Sequence, residues 1–177
     1  MAYARTKEQR AFDRVRADKY EAEVDEALPL TTVTKFSSTD AIDIWHPGWF
    51  LEIKEKHQKI GPRWTLPSEE HNCFIIDELS VRKHLRHYPG VFFLIKDNAS
   101  EQVVKYIIPI WELIGLPRTR MNRQGPTGHD KGKWIVDLSG CRQIAHEKDL
   151  DEICHDMMAD LTWMNAECLG GNEVDQV

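Results

Sequence analysis

The stretch from Asp40 to Lys56 limits the fold of this chain more than any other segment. Ile42, Ile44, Leu51 and Ile53 alternate with polar or aromatic residues on either side of Pro47 and Gly48, the pattern of a β-hairpin with one apolar face. With Pro47 and Gly48 as the turn, pairing sets His46 against Trp49, Trp45 against Phe50, Ile44 against Leu51 and Asp43 against Glu52. Asp43, Glu52 and Lys54 then share the face opposite the isoleucines. Directly opposed residues have Cβ atoms about 4.5–5.5 Å apart. Two carboxylates at that distance repel unless positive charge lies between them, and a divalent cation is the obvious candidate. Pro-Gly suits a type II turn better than the primed turns of two-residue hairpins, so a bulge there would shift the register and flip a strand. Asp40 competes with Asp43, but alternation puts Asp40 on the apolar side, where it reads as a strand-entry residue.

Around the hairpin the sequence predicts an α/β fold, a central mixed sheet flanked by helices. Residues 6–27 form an amphipathic helix with Phe12, Val15, Tyr20 and Val24 on its apolar side, ended by Pro29. Thr31 to Phe36 is β-prone. Residues 73–87 read as a helix stopped at Pro89. Val91 to Lys96 opens with an unbroken apolar run that suits a central strand, Val103 to Ile110 is a further strand, and Trp111 to Leu116 a short helix or loop. Pro117 to Lys133 is loop-like, Trp134 to Leu138 a late strand, and Asp149 to Glu167 a closing helix. A single domain over 1–168 is expected, with 169–177 a frayed tail.

The net charge of −6 is unevenly placed: residues 147–177 hold nine acids and one base, leaving 22 bases against 20 acids in the rest. Global acidity therefore does not argue against nucleic acid, and local basic groups must carry any phosphate binding. No apolar run approaches the roughly 20 residues of a membrane helix and the N-terminus has no signal-peptide core, so no membrane association and a cytoplasmic location are expected. Cys73, Cys141, Cys154 and Cys168 are scattered and read as reduced thiols. Cys141, His146, Cys154 and His155 have no common zinc spacing.

An aspartate, a short hairpin and then Glu-x-Lys resembles the PD-(D/E)xK nuclease superfamily. Residues 40–56 carry the resemblance, and the order of elements follows it loosely to about residue 97. Asp43 matches the first metal ligand, Glu52 the second and Lys54 the catalytic lysine. The proline that often precedes the aspartate is absent, since Ile42 stands there. The resemblance implies a restriction-endonuclease-like core and a Mg²⁺-dependent deoxyribonuclease, endonuclease or exonuclease, in which Mn²⁺ can substitute. It implies recombination, repair or restriction as the setting, and a homodimer, since cutting two strands needs two sites. It also implies the Ile53 carbonyl as a further metal ligand, a supporting polar role for Gln58 and an additional acid on the first helix, for which Glu21 is the candidate. Lys56 follows on the face of Lys54 and is a candidate phosphate contact. Arg118, Arg120, Arg123, Lys131 and Lys133 form a basic, glycine-containing stretch suited to contacting DNA phosphates. The alternative to an enzyme is a non-catalytic nucleic-acid- or protein-binding module on the same fold, with Asp43 and Glu52 held in salt bridges.

Overall fold

The computed structural model describes residues 6–28, 34–35, 42–57, 72–116, 118–121 and 131–170; of 34–35, 118–121, 131 and 163–170 it describes the backbone alone. Strand β5 (Val91–Asp97) organises the molecule. Phe92 and Leu94 point to one buried cluster and Val91, Phe93 and Ile95 to another. A strand covered on both faces needs no polar alternation, which is why this run is continuously apolar.

β5 pairs in parallel with β3 (Trp49–Lys56) and antiparallel with β6 (Val104–Pro109). The sheet is completed by β1 (Thr34–Lys35), β2 (Ile44–His46) and β9 (Arg142–Ile144), in the order β1-β2-β3-β5-β6-β9. It is a mixed sheet. On one face lie helices α1 (Lys7–Ala27) and α4 (Leu150–Gly170), which bury Tyr20, Val24, Leu150 and Ile153 against Ile44, Leu51, Ile53 and Leu94. α1 starts with a reciprocal cap: Thr6 Oγ1 accepts from Gln9 N–H at 3.2 Å, and Gln9 Oε1 accepts from Thr6 N–H at 2.9 Å. Of its expected apolar stripe, Phe12 and Val15 remain exposed, so only its C-terminal half packs on the sheet.

The other face is covered by β4 (Cys73–Asp77), α2 (Glu78–His84), α3 (Ile110–Gly115) and a second sheet of order β4-β8-β7, with β7 Arg118–Met121 and β8 Lys131–Asp137. Two sequence expectations are corrected here. Residues 73–87 are not one helix: the first five are β4, whose Phe74, Ile75 and Ile76 pair with Val136, Ile135 and Trp134 of β8. A short β-branched and aromatic run fits either element, and the partner strand decides it. The expected loop 117–133 is strand in its described parts, where Arg118 to Met121 pair antiparallel with Trp134 to Lys131; residues 117 and 122–130 lie outside the described residues. β9 was not foreseen, and its three residues carry too little pattern to announce a strand. The closing helix runs on to Gly170; residues 171–177 of the expected tail lie outside the described residues. No described helix is long and apolar enough to cross a membrane.

Candidate functional site

The hairpin turns where the sequence expects. Ile44 pairs with Leu51, Trp45 with Phe50 and His46 with Trp49. Gly48 supplies the turn with φ +101°, a conformation that a side chain disfavours. The ladder stops at Ile44, however, and the alternation does not extend back to Ile42. Asp43 is in a bend, and Ile42 packs with the cluster on the opposite side of the sheet from Ile44.

The end of β2 creates the site. Residues on β3 alternately direct their backbone groups toward β5 and toward β2, and Ile53 belongs to the second set. Because β2 ends before reaching it, the Ile53 N–H donates instead to the Asp43 carboxylate, at 2.6 Å from Oδ2. Asp43 is thereby fixed beside Glu52, not as its ladder partner but as a side-chain cap on the next residue of the strand.

Glu52 is 5% exposed and faces α2. Its Oε2 accepts from His84 Nε2 at 2.9 Å; its Oε1 accepts from Ser80 Oγ at 3.2 Å and from the Lys54 ammonium. Lys54, on the same strand face two residues along, is the more solvent-facing member of the group. Burial works against the Glu52 charge, but the hydrogen bond and charge of His84, with the charge of Lys54, outweigh it and hold the carboxyl down at about 2. Asp43 goes the other way. Burial and then the Glu52 charge push it up to about 7, against the pull of Lys54 and the Ile53 N–H; Glu21 on α1 adds a smaller push in the same direction. Two neighbouring carboxyls are thus driven apart, the pattern that burial and like charge produce together.

Asp43, Glu52, Lys54 and the Ile53 backbone come together, through the Asp43 side chain rather than the expected ladder pairing, with Glu21 close enough to be felt. Other candidates do not join them. Lys56 was expected to reach phosphate, but it is 3% exposed and its ammonium donates to Asp97 Oδ2 at 2.7 Å, so it belongs to the interior. Asp97 also accepts from Ala99 N–H and Ser100 Oγ. Lys133 is half-buried on the second sheet and ion-paired to its cross-strand neighbour Asp77. Arg118, Arg120 and Lys131 lie on β7 and β8, described in backbone only; Arg123, Gln58 and Asp40 lie outside the described residues.

His84 and Ser80 are the partners that sequence reasoning missed. His84 lies in a run rich in basic residues, Arg82 to His87, where a solvated face is the ordinary expectation, yet it is buried. The available signal was its spacing from Val81: both are buried, while Arg82 is exposed, so the i, i+3 pair marks the packed side of α2. No family model matches the chain, and neither a curated protein nor a solved structure does so.

Proposed function

We propose that this chain is a metal-dependent nuclease that hydrolyses DNA phosphodiester bonds, on a restriction-endonuclease-like sheet. The observation that carries the reading is the Asp43–Glu52 pair. Asp43, in the bend before β2, is held beside Glu52 of β3 by the Ile53 N–H, and its carboxyl is raised to about 7 because burial and its neighbour oppose its charge. A divalent cation between them relieves that opposition, and hard carboxylate and carbonyl oxygens suit Mg²⁺. The donor set therefore fits: Asp43 and Glu52 would hold the ion, with the Ile53 carbonyl as a further oxygen on the side where its N–H meets Asp43. When bound, Mg²⁺ would acidify water and neutralise phosphate charge.

The chain's own residues divide the remaining work. Lys54, adjacent to Glu52 and partly open to solvent, stabilises the negative charge that develops on the phosphate oxygens. His84 and Ser80 are positioning residues that hold the Glu52 carboxylate against the sheet. The order of elements supports the same reading: helix, strands with the hairpin, then a crossover through α2 to a strand parallel to β3.

A second reading has a specific observation in its favour. Both Glu52 oxygens are already engaged by Lys54, Ser80 and His84, the closed arrangement expected of a binding module without chemistry. Cleavage separates the two. Linear, circular, single-stranded and branched DNA are incubated with the protein and Mg²⁺ or Mn²⁺, beside folded Lys54→Ala and Glu52→Gln variants. Metal-dependent cleavage that both variants lose supports the nuclease. Equal cleavage by the variants, or none with either metal, overturns it.

A further inference from the structure

On the other face of the sheet, the hairpin tip meets the start of α4. We propose that His46, Asp151 and His155 form a binding site for a zinc-class transition-metal dication, separate from the Asp43–Glu52 pair. His46 Nε2 is 3.5 Å from Asp151 Oδ1, and His155 Nε2 is 3.2 Å from the same oxygen. All three ligand atoms lie within 4.8 Å of one another.

The state of His46 is the first argument. Its side chain is almost wholly buried and its Nε2 makes no hydrogen bond among the described residues. A buried polar atom left unmade costs about 1–3 kcal/mol, so native structures rarely keep one without a use. Its other nitrogen, Nδ1, is 3.2 Å from the Pro47 carbonyl oxygen. A carbonyl only accepts, so Nδ1 carries a hydrogen, and in the neutral imidazole that a metal requires Nε2 then presents a lone pair. That lone pair is directed at a carboxylate oxygen, an acceptor facing an acceptor. A cation between them turns the conflict into two bonds, and an Nδ1–H donated to a backbone carbonyl is the usual support of a metal-bound histidine.

The surroundings supply the rest. Asp151 and His155 are one helical turn apart on the same side of α4. Trp49, stacked on His46 at 4.5 Å between ring centroids, donates its indole N–H to Asp151 Oδ1 at 3.3 Å and orients that carboxylate. Gly48 keeps the turn close to the helix: a Cβ there would already touch His155 Cε1 at 3.4 Å.

Spacing and chemistry select the metal. Tetrahedral zinc with bonds of about 2.0–2.1 Å holds its ligand atoms about 3.3 Å apart. Two of the three separations, 3.5 and 3.2 Å, already meet this. The third, between the two imidazoles, is within 4.8 Å, and the 56%-exposed His155 side chain has room to adjust to an ion. Two imidazoles with one carboxylate suit Zn²⁺ or its first-row neighbours rather than Mg²⁺ or Ca²⁺, which want oxygen alone. Because Asp151 and His155 are open on one side, a fourth position is left for water. The bound ion would fasten the N-terminal end of α4 to the hairpin.

Isothermal titration of chelator-treated, dialysed full-length protein with ZnCl₂ tests the site. Wild type and Asp43→Asn are expected to bind one equivalent through this site alike. His155→Ala and Asp151→Asn, both at partly exposed positions, are expected to bind it at least about 100-fold more weakly. Co²⁺ should give the visible absorption of a tetrahedral ion in wild type and lose it in His155→Ala. Equal zinc affinity in wild type and His155→Ala, or loss of zinc binding in Asp43→Asn alone, would overturn the assignment. So would no binding by wild type.

Discussion

Replacing Asp43 by asparagine should stabilise the protein at alkaline pH, the reverse of what removing a salt-bridged aspartate does. The folded carboxyl titrates at about 7, against about 3.9 in an unfolded chain. Between those values the folded state keeps a proton that the unfolded state has released. Stability therefore falls as pH rises through that window, and the full cost stands above pH 7. A gap of about 3 pH units at 1.36 kcal/mol each gives about 4 kcal/mol as a ceiling, which reorganisation around Glu52 and Lys54 will lower. Asparagine keeps an oxygen to accept the Ile53 N–H and discards the charge. Urea unfolding followed by tryptophan fluorescence, in chelator, should show the variant ahead by roughly 2–4 kcal/mol near pH 8, a midpoint shift on the order of 1 M. Near pH 4 the difference should vanish. A variant less stable than wild type near pH 8, or a gap that does not change with pH, would refute the account of Asp43. A positive result followed by Mg²⁺ stabilisation of wild type alone would tie the same carboxyl to the cation.

Two further perturbations separate interior from surface roles. Lys56→Ala leaves the Asp97 carboxylate buried without its ammonium, and a loss of about 3 kcal/mol is expected in the same unfolding assay; a loss below about 1 kcal/mol would return Lys56 to the surface. Gly48→Ala forces a side chain into φ +101° and should cost about 1–2 kcal/mol. An unchanged midpoint would mean that the turn differs from the one described.

Much of the candidate site could be read from order and spacing alone. The turn at Pro47-Gly48, the pairing of Ile44 with Leu51 and the shared face of Glu52 and Lys54 follow from a period of two around a turn, which is local information. So does the burial of β5 on both faces, because Val91 to Ile95 has no polar position to turn outward. Ile42 marks where that logic ends: alternation holds only while the chain is in the ladder, and the ladder begins at Ile44.

Distance along the chain hid the rest. Whether Lys56 meets phosphate or Asp97 depends on β5 lying in parallel register beside β3, 41 residues away. Whether His84 faces water or Glu52 depends on how α2 lies on the sheet. Residues 73–77 became a strand because β8 offered a partner, a contact between segments some 60 residues apart. His46 is separated by more than a hundred residues from Asp151 and His155, so no single motif captures all three; the docking of α4 at the hairpin tip brings them together. The sequence by itself determined the hairpin, its register and the identity of its charged residues, because side-chain alternation and turn chemistry are properties of neighbours. The tertiary structure alone decided which of those charges are buried and which polar atoms face each other, because burial depends on what packs against a surface.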